Sequence, residues 1–388
     1  MLTTLSVKNY RSVLDLTLPL GRLNVITGPN GSGKSNLYKA LRLLARAGQG
    51  GVVNALAMDG GMDSVYWAGP ERLSRAMRQG DVPVEGIVRQ NAMRLKLGFS
   101  ADDYGYAITL GLPEPLPYPT PFNQDPEIKR ECIWHGAYLR PAGLLVERNG
   151  PMVRVRQQRQ WRVVAQHLAG FDSMFDQVAD IEAMPELFTM REKIRRWRFY
   201  DHFRTDKDAP ARQPQLGTRT PVLHHDGRDL AAAIQTIIEI GDEAALHHAV
   251  DYAFPGAHLQ VTRNAEGRFF LTFHQHGLLR PLSVAELSDG TLRYLLWVAA
   301  LLTPRPPELM VLNEPETSLH PDLLPALGRL ILHAAEHSQV WVVTHAPRLI
   351  ATLEEHPECH SIQLDKQLGA TGVPDLHPLD VPAWHWPD

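Results

Sequence analysis

The 388-residue sequence has only two cysteines, Cys132 and Cys359. Two thiols so far apart form no disulfide framework, and this predicts a reducing compartment. No stretch of about 18 apolar residues occurs, which excludes a membrane-spanning helix. The start, MLTTLSVKNYRSVLDL, alternates like a strand and lacks the apolar core of a signal peptide. A cytoplasmic location with no membrane partner is the expectation. An excess of positive charge is also missing. Lys and Arg total 39 against 43 Asp and Glu, a net charge of −4. That excludes a generally basic nucleic-acid binder and leaves a local basic surface open. No sustained heptad, internal repeat or low-complexity tract appears. What remains is ordinary: 44% hydrophobic and 21% charged residues, enough for two or three structural units with a sizeable core.

Two short strands are predicted over residues 2–19. RLNVITGP follows as an apolar strand ending in a Gly-rich loop, with a helix near 34–46. Residues 48–64, rich in small residues, are expected to be loop. RLKLGFS and YGYAITLGL flank ADD as a hairpin, and GLLVERNG pairs with PMVRVRQ across NGP. Between them, Pro113, Pro115, Pro117, Pro119, Pro121 and Pro126 predict an extended connector. Helices are expected over 162–181, 190–203 and 230–250, and strands return near 258–274. From 283 onward helices and strands alternate, an α/β pattern.

GPNGSGKS, residues 28–35, fits G-x-x-x-x-G-K-[ST] between an apolar strand and a helix, where a phosphate loop must lie. Gly28, Gly31 and Gly33 let backbone N–H groups curl around phosphate oxygens, and Pro29, Asn30 and Ser32 complete the loop. The helix start adds its partial positive charge. Lys34 is placed to reach the β- and γ-phosphates, and the Ser35 hydroxyl to bind Mg²⁺. PELMVLNEPE supplies a second buried strand, with Asn313 and Glu314 at its C-terminal end. ELSDGT opens a helix upstream of it. VWVVTHAP, downstream, is another apolar strand, ending at His345.

Taken in this order, NYRSV, GPNGSGKSNL, ELSDGT, NEPETSLHP and THAP resemble the ATPase heads of the ABC type. The similarity is greatest to the RecF/SMC/OLD-like group, and to its stand-alone bacterial members. The motifs lie at about 1–47 and 283–355. The resemblance implies an α/β P-loop NTPase head with ATP and Mg²⁺ as cofactors. It implies a first lobe over 1–150, a mainly helical insertion over 151–255 and a second lobe over 256–388. It makes Glu314 the general base and His345 the sensor of the γ-phosphate. It turns Ser288, Asp289, Gly290 and Thr291 towards ATP held by a second copy of the chain, with Ser318 and His320 on the loop crossing that dimer interface. Arg11 stays open between the nucleotide and an ordinary surface role. The group's glutamine loop has three candidates, Gln79, Gln90 and Gln124. One letter departs from the pattern: Asn313 stands where the group carries Asp. Asn keeps an acceptor oxygen but loses a full charge towards Mg²⁺, so slow but real hydrolysis is expected.

Two further features carry less. Arg191, Arg195, Arg198 and His202 recur at helical spacing, and Arg154 and Arg156 share a strand face. Together they are candidates for a DNA surface. From 154 to 204 there are ten Lys and Arg against seven Asp and Glu, a small excess that equally fits a solvated face. The pairs His224–His225 and His247–His248, and HQH at 274–276, have no cluster of Cys and Asp with them, and adjacent His on a helix point apart, so no metal site is expected. Only residues 346–388 follow His345, too few for an acidic nuclease domain, so no built-in nuclease is expected. The sequence therefore predicts an ATPase that acts on DNA in repair or defence. The alternative is an ATP-gated module, with little turnover, that controls a protein partner such as a nuclease. A transporter subunit is the weakest reading.

Overall fold

The computed structural model describes residues 1–79, 81–82, 92–114, 120–177 and 184–387. Pro115, Pro117 and Pro119 of the expected connector, the candidate Gln90, and the end of the helix expected over 162–181 lie outside them. The chain folds into two compact units whose segments interleave along the sequence. One comprises Met1–Gly21, Thr27–Trp197 and Ile362–Asp388. The other comprises Arg22–Ile26 and Arg198–Ser361.

The first unit is built on an antiparallel sheet of eight strands. In spatial order they are Val13–Pro19, Leu2–Tyr10, Leu95–Ala101, Tyr104–Gly111, Glu127–His135, Leu144–Asn149, Met152–Gln157 and Gln160–Ala165. Both expected hairpins are present, with Ser100 opposite Gly105 and Asn149 opposite Met152. Helix α1, Lys34–Gln49, buries Leu37, Tyr38, Leu41 and Leu44. The stretch 48–64 is not loop: Val52–Met58 and Gly61–Val65 are helical, because Val52, Leu56, Met62 and Val65 bury one side of it. The Trp-rich tail lies on the sheet. Trp384 meets Trp134 edge-on at 5.5 Å, and a Cβ at Gly98 would stand 2.6 Å from the Trp384 ring, so that crossing needs glycine.

The second unit holds most of a five-stranded sheet. Its strands, in chain order, are β1 Leu23–Thr27, β2 Arg198–Tyr200, β3 Leu309–Asn313, β4 Gln339–Val343 and β5 Cys359–Gln363. Their spatial order is β2-β3-β4-β1-β5, and β2-β3, β3-β4 and β4-β1 pair in parallel. The runs LMVL and VWVV are almost wholly buried, as strands covered on both faces must be. Helices α2 (Asp289–Leu301) and α3 (Leu324–Ala335) pack into the same core with Leu295, Trp297, Leu327 and Ile331. The helix expected over 190–203 ends at Arg195. Trp197 is buried, and Arg198–Tyr200 pair in parallel with Met310–Leu312. A three-residue aromatic strand has no periodicity that separates it from helix, so tertiary pairing decided it. The segment 230–250 is two helices broken at Gly241, and 162–165 is edge strand rather than helix.

Candidate nucleotide site

The loop Gly28–Ser35 belongs to the first unit. Gly33 has φ +109°, and a Cβ there would lie 2.1 Å from Thr371 Oγ1. A Cβ at Gly28, φ +138°, would lie 2.3 Å from the Leu364 carbonyl. Both positions demand glycine on conformation and on space. A chain of polar groups fixes the loop from behind. Thr371 Oγ1 donates to the Ser32 carbonyl at 2.8 Å. Its one hydrogen is then used, so Ser12 Oγ donates to Thr371 at 2.7 Å, and Asn36 Nδ2 donates to Ser12 at 2.7 Å. Ser12, Asn36 and Thr371 were not singled out by sequence. Ser12 stands in NYRSV, but Thr371 lies 359 residues away with no motif around it. Lys34 Nζ rests on the carbonyls of Gly28 and Pro29, at 2.6 and 3.1 Å. Ser35 is exposed on the first turn of α1, and Pro29, Asn30 and Gly31 are exposed in the loop before it. Ser32 Oγ is buried without a partner, and a phosphate oxygen would satisfy it, so these residues fit a nucleotide. Arg11 pairs with Asp59 at 3.1 Å and donates towards the Tyr10 hydroxyl at 3.4 Å.

The carboxyl ends of β1, β3 and β4 lie side by side. Asn313 is level with Val343, and Val343 with Ile26. Glu314 leaves the sheet with φ +48°, a left-handed backbone held by its N–H bond to the Val343 carbonyl at 2.8 Å. Such a conformation on a non-glycine residue is retained where surrounding structure fixes it. The Glu314 side chain is 41% exposed. His345 Nδ1 stands 3.9 Å from Glu314 and 3.3 Å from Glu316. Glu316 is the residue that sequence reasoning missed. Its buried carboxylate accepts from Thr344 Oγ1 at 2.7 Å and from the His345 backbone N–H at 2.9 Å. It thereby fixes where the histidine ring stands. The signal was present as a second Glu in NEPE, two residues after the first.

Asp201 and His202 directly follow β2, the strand beside β3. Gln79 and Gln124 belong to the first unit. Asn313 Nδ2 donates to Asp201 Oδ1 at 3.4 Å, and Asn313 Oδ1 is buried without a partner. That orphaned acceptor fits a donor such as a water on a bound metal ion. Among the described residues no three His, Cys, Asp or Glu gather to hold a metal by themselves.

The signature sits at the start of α2. Ser288 caps the helix, accepting from the Thr291 N–H at 3.1 Å. Asp289 pairs with Arg212 at 2.7 Å. Gly290 has room for a Cβ only at 3.5 Å from the Ser318 carbonyl, and Ser318 has φ +61°. His320 accepts from the Asp322 N–H at 3.3 Å and starts a short turn of helix. One turn into α2, buried Arg293 joins three segments. It donates to the carbonyls of Thr317 at 2.7 Å and Phe203 at 3.0 Å, and to Thr205 Oγ1 at 3.1 Å. It also lies 3.2 Å from His202 Nε2. Burial, and then this guanidinium, push the His202 pKa below its usual range.

The basic residues proposed for DNA are engaged within the protein. Arg154 donates to Glu147 at 2.7 Å, Arg156 to the Pro141 carbonyl at 2.7 Å and Arg195 to Glu192 at 3.4 Å. Arg191 donates to the Phe175 carbonyl at 3.1 Å. Arg198 is on β2 and not on the helix of Arg191 and Arg195.

Residues 23–129 and 163–351 match the family described as "AAA domain, putative AbiEii toxin, Type IV TA system". The match covers more than half of the chain and takes in both the phosphate loop and His345. The chain belongs to this AAA-domain family. It is also similar to an OLD nuclease of Thermus scotoductus, with 50% identity over 44 residues, 11% of this chain and 8% of that protein. The chain therefore spans a small part of that relative's length. Among solved structures it resembles an SMC head bound to the C-terminal winged-helix domain of ScpA. The TM-score is 0.50 at 14% identity, over 97% of this chain and 98% of that one. An SMC head from Thermotoga maritima matches at TM-score 0.44 and 14% identity, over 97% and 99%. The fold of this AAA-domain protein is that of a RecF/SMC/OLD-like ATPase head of the ABC type, with a P-loop. Among the described residues, no helix is long and apolar enough to cross a membrane.

Proposed function

We propose that this AAA-domain protein binds and slowly hydrolyses ATP in the cytoplasm, and that two copies close around ATP in a homodimer. The observation that carries this reading is the triad of Glu314, Glu316 and His345. An exposed carboxylate is held in a left-handed turn, and beside it a histidine is anchored by a second, buried carboxylate. Lys34, Ser35 and the loop amides bind the phosphates. Glu314 takes the proton of the attacking water, and His345 orients it. Mg²⁺, when bound, offsets charge on the phosphates, and Ser35 and Asn313 are the residues that would hold it. Ser288, Asp289, Gly290 and Thr291 contact the nucleotide of the partner copy, with Ser318 and His320 at that interface.

The first biological reading is action on DNA in repair or defence, through Arg154, Arg156, Arg191, Arg195 and Arg198. The second is an ATP-gated module that controls a protein partner such as a nuclease. The internal pairing of Arg154 and Arg195 with carboxylates favours the second, because a phosphate contact there must first displace a partner already in place. Arg11, tied to Asp59, would have to leave that partner to reach the nucleotide. The test is ATP turnover with no DNA, single-stranded DNA and duplex DNA, with Glu314→Gln as the blank. Turnover raised severalfold by DNA supports the first reading. Turnover above the blank but indifferent to DNA supports the second. Turnover no higher than the blank overturns hydrolysis. Light scattering of Glu314→Gln with ATP is expected to give a dimer, and a monomer would refute the sandwich.

A further inference from the structure

Resting on the ATPase reading above, we propose that Asp201 supplies the metal-directed carboxylate that position 313 lacks. The register makes the pairing specific. Tyr200 is opposite Leu312, so Asp201, just past β2, and Asn313, the last residue of β3, stand side by side. A carboxylate can only accept hydrogen bonds, so the Asn313 amide must turn its NH₂ towards Asp201. The 3.4 Å contact from Nδ2 to Oδ1 has this sense. The Asn313 carbonyl oxygen is thereby turned the other way, where it is buried and unpartnered. The two side chains form one composite group. Asn313 Oδ1 is an acceptor for a water bound to the metal, and Asp201 carries the negative charge one strand over.

This division suits Mg²⁺. The ion keeps several waters and is bound through one or two carboxylates plus phosphates, not by an all-protein cage. No such cage is present among the described residues. The cost of Asn at position 313 is then offset by its neighbour, and the carboxylate has moved to β2 without leaving the end of the sheet. Asp201 is here a positioning and charge-bearing residue for the metal. His202, the next residue, is committed to Arg293.

The test uses the full chain carrying Glu314→Gln, which separates binding from turnover, with ATP as nucleotide and Mn²⁺ as probe. Free Mn²⁺ is counted by electron paramagnetic resonance, and ATP affinity is measured with and without the ion. Asp201→Asn is expected to weaken Mn²⁺ binding to the ATP complex by about tenfold or more, as loss of a metal-supporting partner does. Metal-free ATP affinity should stay within about twofold. The swap Asp201→Asn with Asn313→Asp should restore Mn²⁺ binding, and Asp201→Glu should keep most of it. Unchanged Mn²⁺ affinity in a folded Asp201→Asn protein overturns the proposal, and so does a swap that restores nothing. If Asp201→Asn does not fold, the swap and Asp201→Glu decide in the same way. Failure of the parent protein to bind ATP at all would overturn the ATPase reading itself, a result distinct from metal indifference in the variant.

Discussion

Replacing Glu316 by alanine removes the group that holds His345. The Thr344 hydroxyl and the His345 N–H both lose their acceptor. A buried donor left unsatisfied costs about 1–3 kcal/mol, so the two together cost about 2–6 kcal/mol. Against this, the substitution removes a buried carboxylate whose Oε2 already lacks a partner, which returns part of the loss. A net destabilisation of about 2–4 kcal/mol is expected. Glu316→Gln keeps the shape and one acceptor oxygen. It exchanges two charge-assisted bonds for neutral ones and should cost about 1–2 kcal/mol. Global unfolding of a two-unit chain is not a single transition, so a local readout is needed. Hydrogen exchange of the peptide spanning 339–350 should accelerate strongly in the alanine variant and mildly in the glutamine variant. ATP turnover should fall in the same order, because a displaced imidazole no longer orients the water. If exchange in that peptide were unchanged in Glu316→Ala while turnover stayed at the wild-type level, Glu316 would not be the anchor of His345.

Gly33→Ala puts a Cβ 2.1 Å from Thr371 Oγ1 at a left-handed backbone position. It should abolish ATP binding, measured by calorimetry, and Thr371→Ser should not rescue it, since the clashing hydroxyl remains. His202 has a depressed pKa in the folded chain, so the unfolded chain protonates first. Stability should therefore decline as pH falls through about 6.5 and level off below the folded value. Because the side chain is largely exposed, the decline should stay below about 1 kcal/mol. His202→Gln should flatten it in melts recorded from pH 7.5 to 5. A wild-type slope equal to that of the variant would refute the assignment.

Much of the site was legible because its motifs are contiguous. GPNGSGKS, ELSDGT and NEPETSLHP each hold their residues together on one loop or turn, and the apolar runs before them are long enough to be strands. Three features escaped for different reasons. Arg198–Tyr200 is a strand only because β3 lies beside it, so its sequence alone follows the helical spacing of Arg191 and Arg195. Asp201 matters through a neighbour 112 residues away. Glu316 was visible but lay in the shadow of Glu314, and only its burial separates an anchor from a base. That Asn313 stands where the group carries Asp is plain in the sequence; that Asp201 stands beside it required the register.

The threonine behind the phosphate loop sets an order of events during synthesis. Ser12 and Ser32 are made long before Thr371, the group that joins them. A nascent chain that has exposed GPNGSGKS has the letters of a phosphate loop without its rear support. Contacts this distant in sequence form late, after the intervening chain has found its place. ATP competence should therefore switch on only once Thr371 has been made and placed, and chains that stop short of it should neither capture nucleotide nor pair prematurely around it.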